Sequence, residues 1–332
     1  MLNVNNVGHL QRRWYHFTGG NVYSSPAVVD GVVYVGSADG NVWALKAGTG
    51  RKLWKYTIGG DSFVESSPAV AGGVVYVGAY SGSDNSVYAL NAGTGAKLWS
   101  YTAGGWVNSS PAVASGVVYV GSWDYNLYAL SASTGTKLWS YATGGPLVSS
   151  PTVVNGVVYV GSEDDNVYAL DASTGALLWS YATGDPVDSS PAVANGVVYV
   201  GSDDKNVYAL NASTGALLWS YATGNYVLSS PAVANSVVYI GSTDSNVYAL
   251  NAGTGAKVWS YHADGRWSSP AVANGVVYVG CTDAHVYALN ASSGAKLGGY
   301  RAGREVESSP TVVNGVVYFG SGQGAVYAYG LK

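Results

Sequence analysis

The sequence predicts an all-β fold, a closed ring of eight four-stranded antiparallel sheets, and three observations carry this prediction. Each repeat unit holds four short apolar runs rich in Val and Tyr, without helical spacing. The chain begins with an extra copy of the fourth run, and its last unit lacks that run. The triplet Ser-Ser-Pro marks eight units of about forty residues, ending at Pro26, Pro68, Pro111, Pro151, Pro191, Pro231, Pro270 and Pro310. Four-stranded units of this length are typical of an eight-bladed β-propeller.

The fifth unit illustrates the four strands. Its apolar runs are VDSSPAV, GVVYVGS, NVYALNA and ALLWSYAT, separated by the turn-prone ANG, DDKN and STG. The runs are apolar on both alternating faces, as expected for sheets that are covered on both sides. We expect the eight repeated prolines within the first strand. That strand is the innermost edge of each blade, where a missing N–H is tolerated.

The two ends of the chain complement each other. RRWYHFTGG, residues 12–20, aligns with the fourth strand of a unit, and the last unit stops at VYAYGLK. We therefore expect residues 10–17 to complete the eighth blade and close the ring, which leaves no open sheet edge in the array. The prediction is one domain, residues 1–332, with blades starting near residues 21, 63, 106, 146, 186, 226, 266 and 305.

Composition narrows the functional classes. A net charge of −4 and 10% charged residues argue against nucleic acid as the main partner. The single cysteine, Cys281, excludes an intrachain disulfide and a four-cysteine metal site, and we expect it to be a small packed residue. No apolar run is long enough for a membrane helix, so no membrane insertion is expected. The opening residues show no apolar core of signal-peptide length.

A tryptophan recurs at one position of the fourth strand. Seven equivalent rings around a propeller cannot all serve one central ligand, whereas packing against the neighbouring blade explains every copy. The preceding Thr-Gly supplies a turn in which Gly adopts positive φ. The eighth copy has Gly298 instead, and the seven docking residues are Trp14, Trp54, Trp99, Trp139, Trp179, Trp219 and Trp259.

These motifs, such as ALNASTGALLW (209–219) and ALNAGTGAKLW (89–99), resemble the tryptophan-docking repeat of pyrroloquinoline quinone (PQQ)-like propellers over essentially the whole chain. The resemblance implies an extracytoplasmic location, periplasmic or secreted. The quinone-dependent alcohol dehydrogenases of this family carry an adjacent-cysteine disulfide, a calcium site and long insertions between blades. This chain departs from that pattern, because it has a single cysteine and units of nearly uniform length. The chain therefore looks nearer to non-enzymatic scaffold and sensor members, and no cofactor is expected; PQQ with Ca²⁺ is the alternative.

Divergence between units is one-sided. The second-to-third loops and the blade-to-blade connections share one face of the ring, here called the variable face, and the other turns share the constant face. The fourth and fifth units differ at eight of forty positions. Five of these lie on the variable face: Glu163, Asp165, Asp185, Pro186 and Asp188. This distribution favours a binding surface built on a constant scaffold, although unconstrained exposed loops would also diverge.

Aromatic residues reinforce this prediction. Trp43 replaces a repeated Tyr and is expected in the core. The other non-docking tryptophans map to the variable face, and exposed aromatic clusters are typical of interfaces. The predicted partner-binding residues are Phe63, Tyr80, Trp106, Trp123, Tyr125 and Trp267. The alternative is that these side chains shield the channel mouth.

The residue before each Ser-Ser-Pro is expected to line the channel entrance. These positions hold Tyr23, Glu65, Asn108, Val148, Asp188, Leu228, Trp267 and Glu307. The three acids belong to separate blades, so no shared metal site is expected. An aspartate repeated in the second-to-third loop is interpreted as a turn residue that binds its own backbone; a calcium-binding ring is the remote alternative.

No catalytic constellation is expected, because His9, His16, His262 and His285 stand isolated. The leading hypothesis is a non-enzymatic, monomeric scaffold that binds a protein or polysaccharide through its variable face. One alternative is a PQQ-dependent dehydrogenase or a degenerate relative. Another is a recently amplified or consensus-like repeat protein without an evolved ligand.

Overall fold

The computed structural model describes residues 1–59, 61–82, 84–263 and 267–332. They form eight four-stranded antiparallel sheets arranged in a ring. The inner strands of successive blades contact one another all round, and the eighth contacts the first. The predicted start of the seventh blade near residue 266 lies outside the described residues.

The first four blades follow chain order from the channel outward. Blade 1 contains β2 (Ala27–Val29), β3 (Val32–Ser37), β4 (Asn41–Lys46) and β5 (Lys52–Thr57). Blade 2 contains β6 (Ala69–Ala71), β7 (Val74–Tyr80), β8 (Asn85–Asn91) and β9 (Lys97–Thr102). Blade 3 contains β10 (Ala112–Ala114), β11 (Val117–Gly121), β12 (Asn126–Ser131) and β13 (Lys137–Ala142). Blade 4 contains β14 (Thr152–Val154), β15 (Val157–Gly161), β16 (Asn166–Asp171) and β17 (Leu177–Ala182).

The last four blades repeat this order, except that blade 8 takes its outer strand from the beginning of the chain. Blade 5 contains β18 (Ala192–Ala194), β19 (Val197–Gly201), β20 (Asn206–Asn211) and β21 (Leu217–Ala222). Blade 6 contains β22 (Ala232–Ala234), β23 (Val237–Ser242), β24 (Asn246–Asn251) and β25 (Lys257–His262). Blade 7 contains β26 (Ala271–Ala273), β27 (Val276–Gly280), β28 (His285–Asn290) and β29 (Lys296–Arg301). Blade 8 contains β30 (Thr311–Val313), β31 (Val316–Ser321), β32 (Ala325–Gly330) and β1 (Gln11–Phe17).

The ring closes as predicted. Strand β1 pairs antiparallel with β32, with Trp14 opposite Ala328 and Phe17 opposite Ala325. The first and last segments of the chain therefore share one sheet, and this confirms the displaced fourth strand.

The Ser-Ser-Pro triplet has a function that the sequence did not reveal. The hydroxyl of each first serine accepts a hydrogen bond from the backbone N–H of a glycine in its own blade, as Ser24 does from Gly36. The backbone N–H of each second serine donates to the hydroxyl of the second serine in the next blade. Ser309 donates to Ser25, so eight such bonds of 2.8–3.0 Å encircle the channel. We call this closed circle the serine belt.

The expectation that the eight prolines lie within the first strand is wrong. Pro26, for example, directly precedes the three-residue strand that begins at Ala27, and the other triplets follow the same pattern. The reason is the serine belt. The N–H before each proline points to the neighbouring blade rather than to its own sheet, so the ladder begins only after the proline.

The repeated tryptophan joins neighbouring blades. Each indole N–H donates to an alanine carbonyl of the next blade at 2.8–3.1 Å, as Trp99 does to Ala132. The turn glycine of that next blade lies under the ring. A Cβ on Gly135, which has φ +73°, would lie 2.6 Å from Cε3 of Trp99. The glycine therefore supplies both the left-handed turn and the space for the ring.

The junction of blades 7 and 8 lacks this tryptophan. At the other junctions the indole packs on the turn between the third and fourth strands of the next blade, and blade 8 has no such turn. The outer strand of blade 8 is β1, so no turn joins it to β32. A short 3-10 helix, Val7–His9, lies against Gly298 in place of an indole, and the hydroxyl of Tyr300 donates to the carbonyl of Val7 at 2.9 Å. Leu2 is fully buried in the same core. The N-terminal segment thus plugs the place where the repeat is interrupted.

Candidate functional site

The variable face displays two adjacent side chains per blade on a common backbone frame. A residue at the second-to-third connection donates its N–H to the carbonyl of a residue in the incoming connection at 2.8–3.1 Å. The frame is the same in blades 1 to 6 and 8, but the side chains differ. In that blade order the pairs are Asn21/Ala38, Phe63/Tyr80, Trp106/Trp123, Pro146/Glu163, Pro186/Asp203, Tyr226/Thr243 and Glu305/Gly322.

Blades 2 and 3 fill this frame with four aromatic rings in contact. Phe63 and Tyr80 stack with centroids 5.5 Å apart, Tyr80 lies 5.1 Å from Trp106, and Trp106 lies 4.8 Å from Trp123. These separations are those of favourable aromatic pairs. The rings of Phe63, Trp106 and Trp123 remain 37–40% exposed. We call the four residues the ring stack.

The other two predicted partner-binding residues, Tyr125 and Trp267, are both exposed. Tyr125 adopts φ +71° at the tip of the blade 3 loop and is 47% exposed. Trp267 belongs to blade 7 and is 53% exposed. Within the described residues, no ring contact joins either side chain to the ring stack.

The channel-mouth positions alternate as the sequence suggested. The residue before each of them is buried, whereas Tyr23, Glu65, Asn108, Val148, Asp188, Leu228 and Glu307 are half-buried. Glu65 and Asn108 lie beside the hydroxyl of Tyr80. Burial, and then the hydrogen bond and charge of Glu65, raise the pKa of Tyr80 above its usual value. The ring stack therefore reaches two of the predicted channel-mouth positions.

Blades 4 and 5 carry acids, Glu163 and Asp203, at the loop position of the frame. Burial, and then the charge of Glu163, raise the pKa of Asp188 to about 6. Burial, and then the charges of Asp188 and Asp185, raise the pKa of Asp203 to about 6. One carboxylate oxygen of Asp188 and one of Asp203 have no hydrogen-bond partner among the described residues. We call Glu163, Asp185, Asp188 and Asp203 the acidic sector.

The repeated loop aspartate is a turn residue, as interpreted, but it also connects blades. Oδ1 of Asp124 accepts the N–H of Asn126, two residues on. Its Oδ2 accepts the hydroxyl of Tyr128 and the N–H of Gly104 in the incoming connection, both at 2.6 Å. The sequence did not reveal this second role, although the constant four-residue spacing of Asp and Tyr is a signal for it. The same three-way contact recurs at Asp164, Asp204 and Asp244.

Within the described ranges, no group of three or more His, Cys, Asp or Glu side chains is arranged to hold a metal ion. Cys281 is buried in the core between blades 6 and 7. Trp43 is also buried in the core, as expected. No helix of the described structure has the length and apolar character to cross a membrane.

Three comparisons bear on these features. The family model described as outer membrane protein assembly factor BamB matches residues 9–107, 83–187 and 166–332. Quinoprotein alcohol dehydrogenase PedH of Pseudomonas putida is 40% identical over 60 residues, which is 17% of this chain but only 10% of that protein. The crystal structure of BamB from Moraxella catarrhalis has a TM-score of 0.84 at 23% identity and covers 97% of this chain and 98% of its own.

A computationally designed protein, Ika8, has the same TM-score of 0.84 at 20% identity and covers 95% of this chain and 98% of its own. At these identities, the two solved structures establish the fold.

Proposed function

The chain belongs to the outer membrane protein assembly factor BamB family, and from this premise we propose that it is a non-enzymatic binding propeller that holds a protein partner on its variable face. The observation that carries the proposal is the ring stack. Four contacting aromatic side chains remain partly exposed on a face whose backbone frame is the same from blade to blade. Aromatic residues of this kind are the usual anchors of protein interfaces.

The acidic sector refines the expected partner. It lies on blades 4 and 5, which follow the blades of the ring stack, and its members Glu163 and Asp203 occupy the loop position of the frame that Tyr80 and Trp123 occupy in blades 2 and 3. A partner that places apolar side chains on Trp106 and Trp123 would bring its neighbouring residues over Glu163 and Asp203. Lys or Arg at those places would face the carboxylates of Glu163 and Asp203, whose pKa values are raised by burial and by neighbouring acids, and would offset the repulsion between them. We therefore expect a protein surface with an apolar centre flanked by basic residues, in the extracytoplasmic compartment that the family name suggests.

The double variant Trp106→Ala/Trp123→Ala tests this proposal. Both rings are partly exposed and lie outside the docking positions, so the variant should fold. It should lose the partner that the immobilised wild-type chain captures from a periplasmic extract. The matched control is Leu138→Ala/Leu178→Ala, which removes two exposed apolar side chains from outer strands. The control should capture the partner normally.

The result that contradicts the proposal is equal capture by the wild type and the tryptophan variant. Near-ultraviolet circular dichroism establishes that each variant is folded. If the wild type captures nothing reproducibly, the proposal fails in favour of an amplified repeat protein without an evolved ligand.

The similarity to PedH favours a second candidate, a quinone-dependent dehydrogenase. The residues present do not fit such a site. One cysteine cannot form an adjacent-cysteine disulfide, and the described residues offer no cluster of acidic or histidine side chains for calcium. Titration with PQQ and Ca²⁺, followed by quinone absorbance and dye reduction, tests this candidate. Tight binding with turnover would overturn the preference for a scaffold.

A further inference from the structure

A groove lies where the two ends of the chain meet, between the outer strands of blades 7 and 8. Its volume is about 430 Å³, within the range of small-molecule sites. We call it the seam groove. Its lining consists of Arg12, Tyr15, Phe17, Arg301, Ala302, Gly303, Gln323, Tyr327 and Tyr329.

Several of these residues depart from the chain's own repeat. Phe17 and Arg301 stand where the outer strands of blades 3, 4 and 5 carry Ala142, Ala182 and Ala222. Tyr15 stands at the position that those three strands fill with Ser. Gln323 replaces the loop aspartate found in every other blade. In a chain of near-identical units, these departures converge on one cavity.

The exchange of Asp for Gln changes the charge and the hydrogen bonding of the groove. In blade 4, Asp164 accepts the hydroxyl proton of Tyr168. In blade 8, the hydroxyl oxygen of Tyr327 instead accepts the N–H of Gly303 at 3.1 Å and a hydrogen bond from the amide of Gln323. The hydroxyl proton of Tyr327 is then free to donate to a ligand in the groove.

The two guanidinium groups supply positive charge on a chain whose net charge is −4. Arg12 lies over the ring of Tyr15, with Cζ 4.8 Å from the centroid, and that ring is 6.0 Å from the ring of Tyr327. Among the residues that the structure describes, neither Arg12 nor Arg301 forms an ion pair with a carboxylate. The exposed rings of Tyr15 and Phe17 provide an apolar wall beside these charges.

We propose that the seam groove binds a small aromatic anion, with its acidic group between Arg12, Arg301 and the hydroxyl of Tyr327, and its ring against Tyr15 and Phe17. Guanidinium groups bind carboxylates and phosphates through paired N–H donors. A carboxylate and a phosphate are both compatible with these donors. The rings of Tyr15 and Phe17 favour a ligand whose acidic group is attached to an aromatic ring. The proposal does not depend on the ring stack, which lies on blades 2 and 3.

Benzoate and phenyl phosphate are the probes, with benzamide as the neutral isostere and inorganic phosphate as the anion without a ring. Binding is measured by protein chemical-shift titration and by saturation-transfer NMR. At least one aromatic anion should bind, and the stronger of the two identifies carboxylate or phosphate as the natural acidic group. Benzamide and inorganic phosphate should bind at least about tenfold more weakly, because each lacks half of the contacts.

Two variants restore residues that this fold already carries elsewhere, so both should fold. Arg301→Ala introduces the residue of blades 3 to 5, and Gln323→Asp introduces the repeated loop aspartate. Each should weaken binding of the aromatic anion by about tenfold or more, since one removes a charge-assisted donor and the other adds a repelling carboxylate. The control Lys97→Ala removes one positive charge from an exposed outer-strand position of blade 2 and should leave binding unchanged.

The proposal is overturned if neither aromatic anion binds, or if benzamide or inorganic phosphate binds equally well. Equal weakening by Lys97→Ala would also overturn it, because binding would then follow net charge rather than the groove. These outcomes do not bear on partner capture by Trp106 and Trp123.

Discussion

Replacing Gly135 by Ala tests the two reasons why the turn beside Trp99 contains glycine, namely its positive φ and the space that the indole occupies. Gly135 has φ +73°, and a Cβ there would lie 2.6 Å from Cε3 of Trp99. Gly116, in the other constant-face turn of the same blade, has φ +78°, but a Cβ there would meet nothing within 4 Å. The pair therefore shares the backbone conformation and differs in the tryptophan.

The expected losses follow from these distances. A left-handed conformation costs a residue with a Cβ about 1–2 kcal/mol, and both variants incur that cost. Overpacking a filled site costs about 1–3 kcal/mol more, and only Gly135→Ala incurs it. We therefore expect Gly116→Ala to lower the free energy of unfolding by about 1–2 kcal/mol. Gly135→Ala should lower it by about 2–5 kcal/mol.

Urea unfolding followed by far-ultraviolet circular dichroism measures both free energies, provided that the m-values agree. Tryptophan fluorescence adds a local probe, since only Gly135→Ala should displace the indole of Trp99. Equal losses in the two variants, with unchanged fluorescence, would refute the reasoning. They would show that the glycine serves the turn alone.

Three further predictions follow from buried groups. Tyr278→Phe should be neutral or stabilising, because the Tyr278 hydroxyl is buried without a hydrogen-bond partner among the described residues. Tyr119→Phe, its matched control, should cost about 1 kcal/mol in a urea titration, because it removes a 2.9 Å hydrogen bond to a carbonyl of blade 4. Asp203 binds a proton more tightly in the folded chain than in the unfolded chain, so its stabilising contribution is complete below about pH 4 and is lost as the pH rises through about 6. Asp203→Asn should remove this part of the pH dependence. With solvent screening taken into account, it should raise the free energy of unfolding at pH 7.5 by about 1 kcal/mol. An unchanged dependence of the free energy of unfolding on pH would contradict this prediction. Leu2→Ala should lower the free energy of unfolding by about 2–4 kcal/mol, because Leu2 is fully buried where the repeat is interrupted. Val4→Ala, at a more exposed neighbour, should change it by less than about 1 kcal/mol; similar losses for both would contradict the role of the plug.

The sequence predicted the period, the four strands, the displaced strand β1 and the packing of Trp99, because each follows from apolar patterning or from the comparison of units. It did not predict the hydrogen-bond partners of repeated polar residues, such as the serine belt and the contact of Asp124 with Gly104, because a repeated residue does not show which group it binds. It also did not predict contacts between distant parts of the chain. The bond from Ser309 to Ser25 spans the chain, and the occupant of the space beside Gly298 comes from the opposite terminus.

The sequence likewise predicted only part of the candidate site. One-sided divergence located the variable face, and the ring stack assembles four of the six predicted aromatic residues. Whether they bind a partner stays a prediction. The seam groove could not be found from spacing, because Arg12 and Arg301 lie at opposite ends of the sequence and meet only when the ring closes.

The serine belt gives every blade the same contact with its neighbour. Its eight bonds all lie between 2.8 and 3.0 Å, so the eight inner edges meet in nearly the same way around the channel. Near-identical repeats are prone to gain or lose a copy by recombination between them. A closed ring of seven or nine units has a different angle between neighbouring blades, so the bonds of the serine belt would have to form in a different geometry. Replacing one unit by another keeps the ring of eight and its belt. Adding or losing a unit changes the geometry of every contact in the belt.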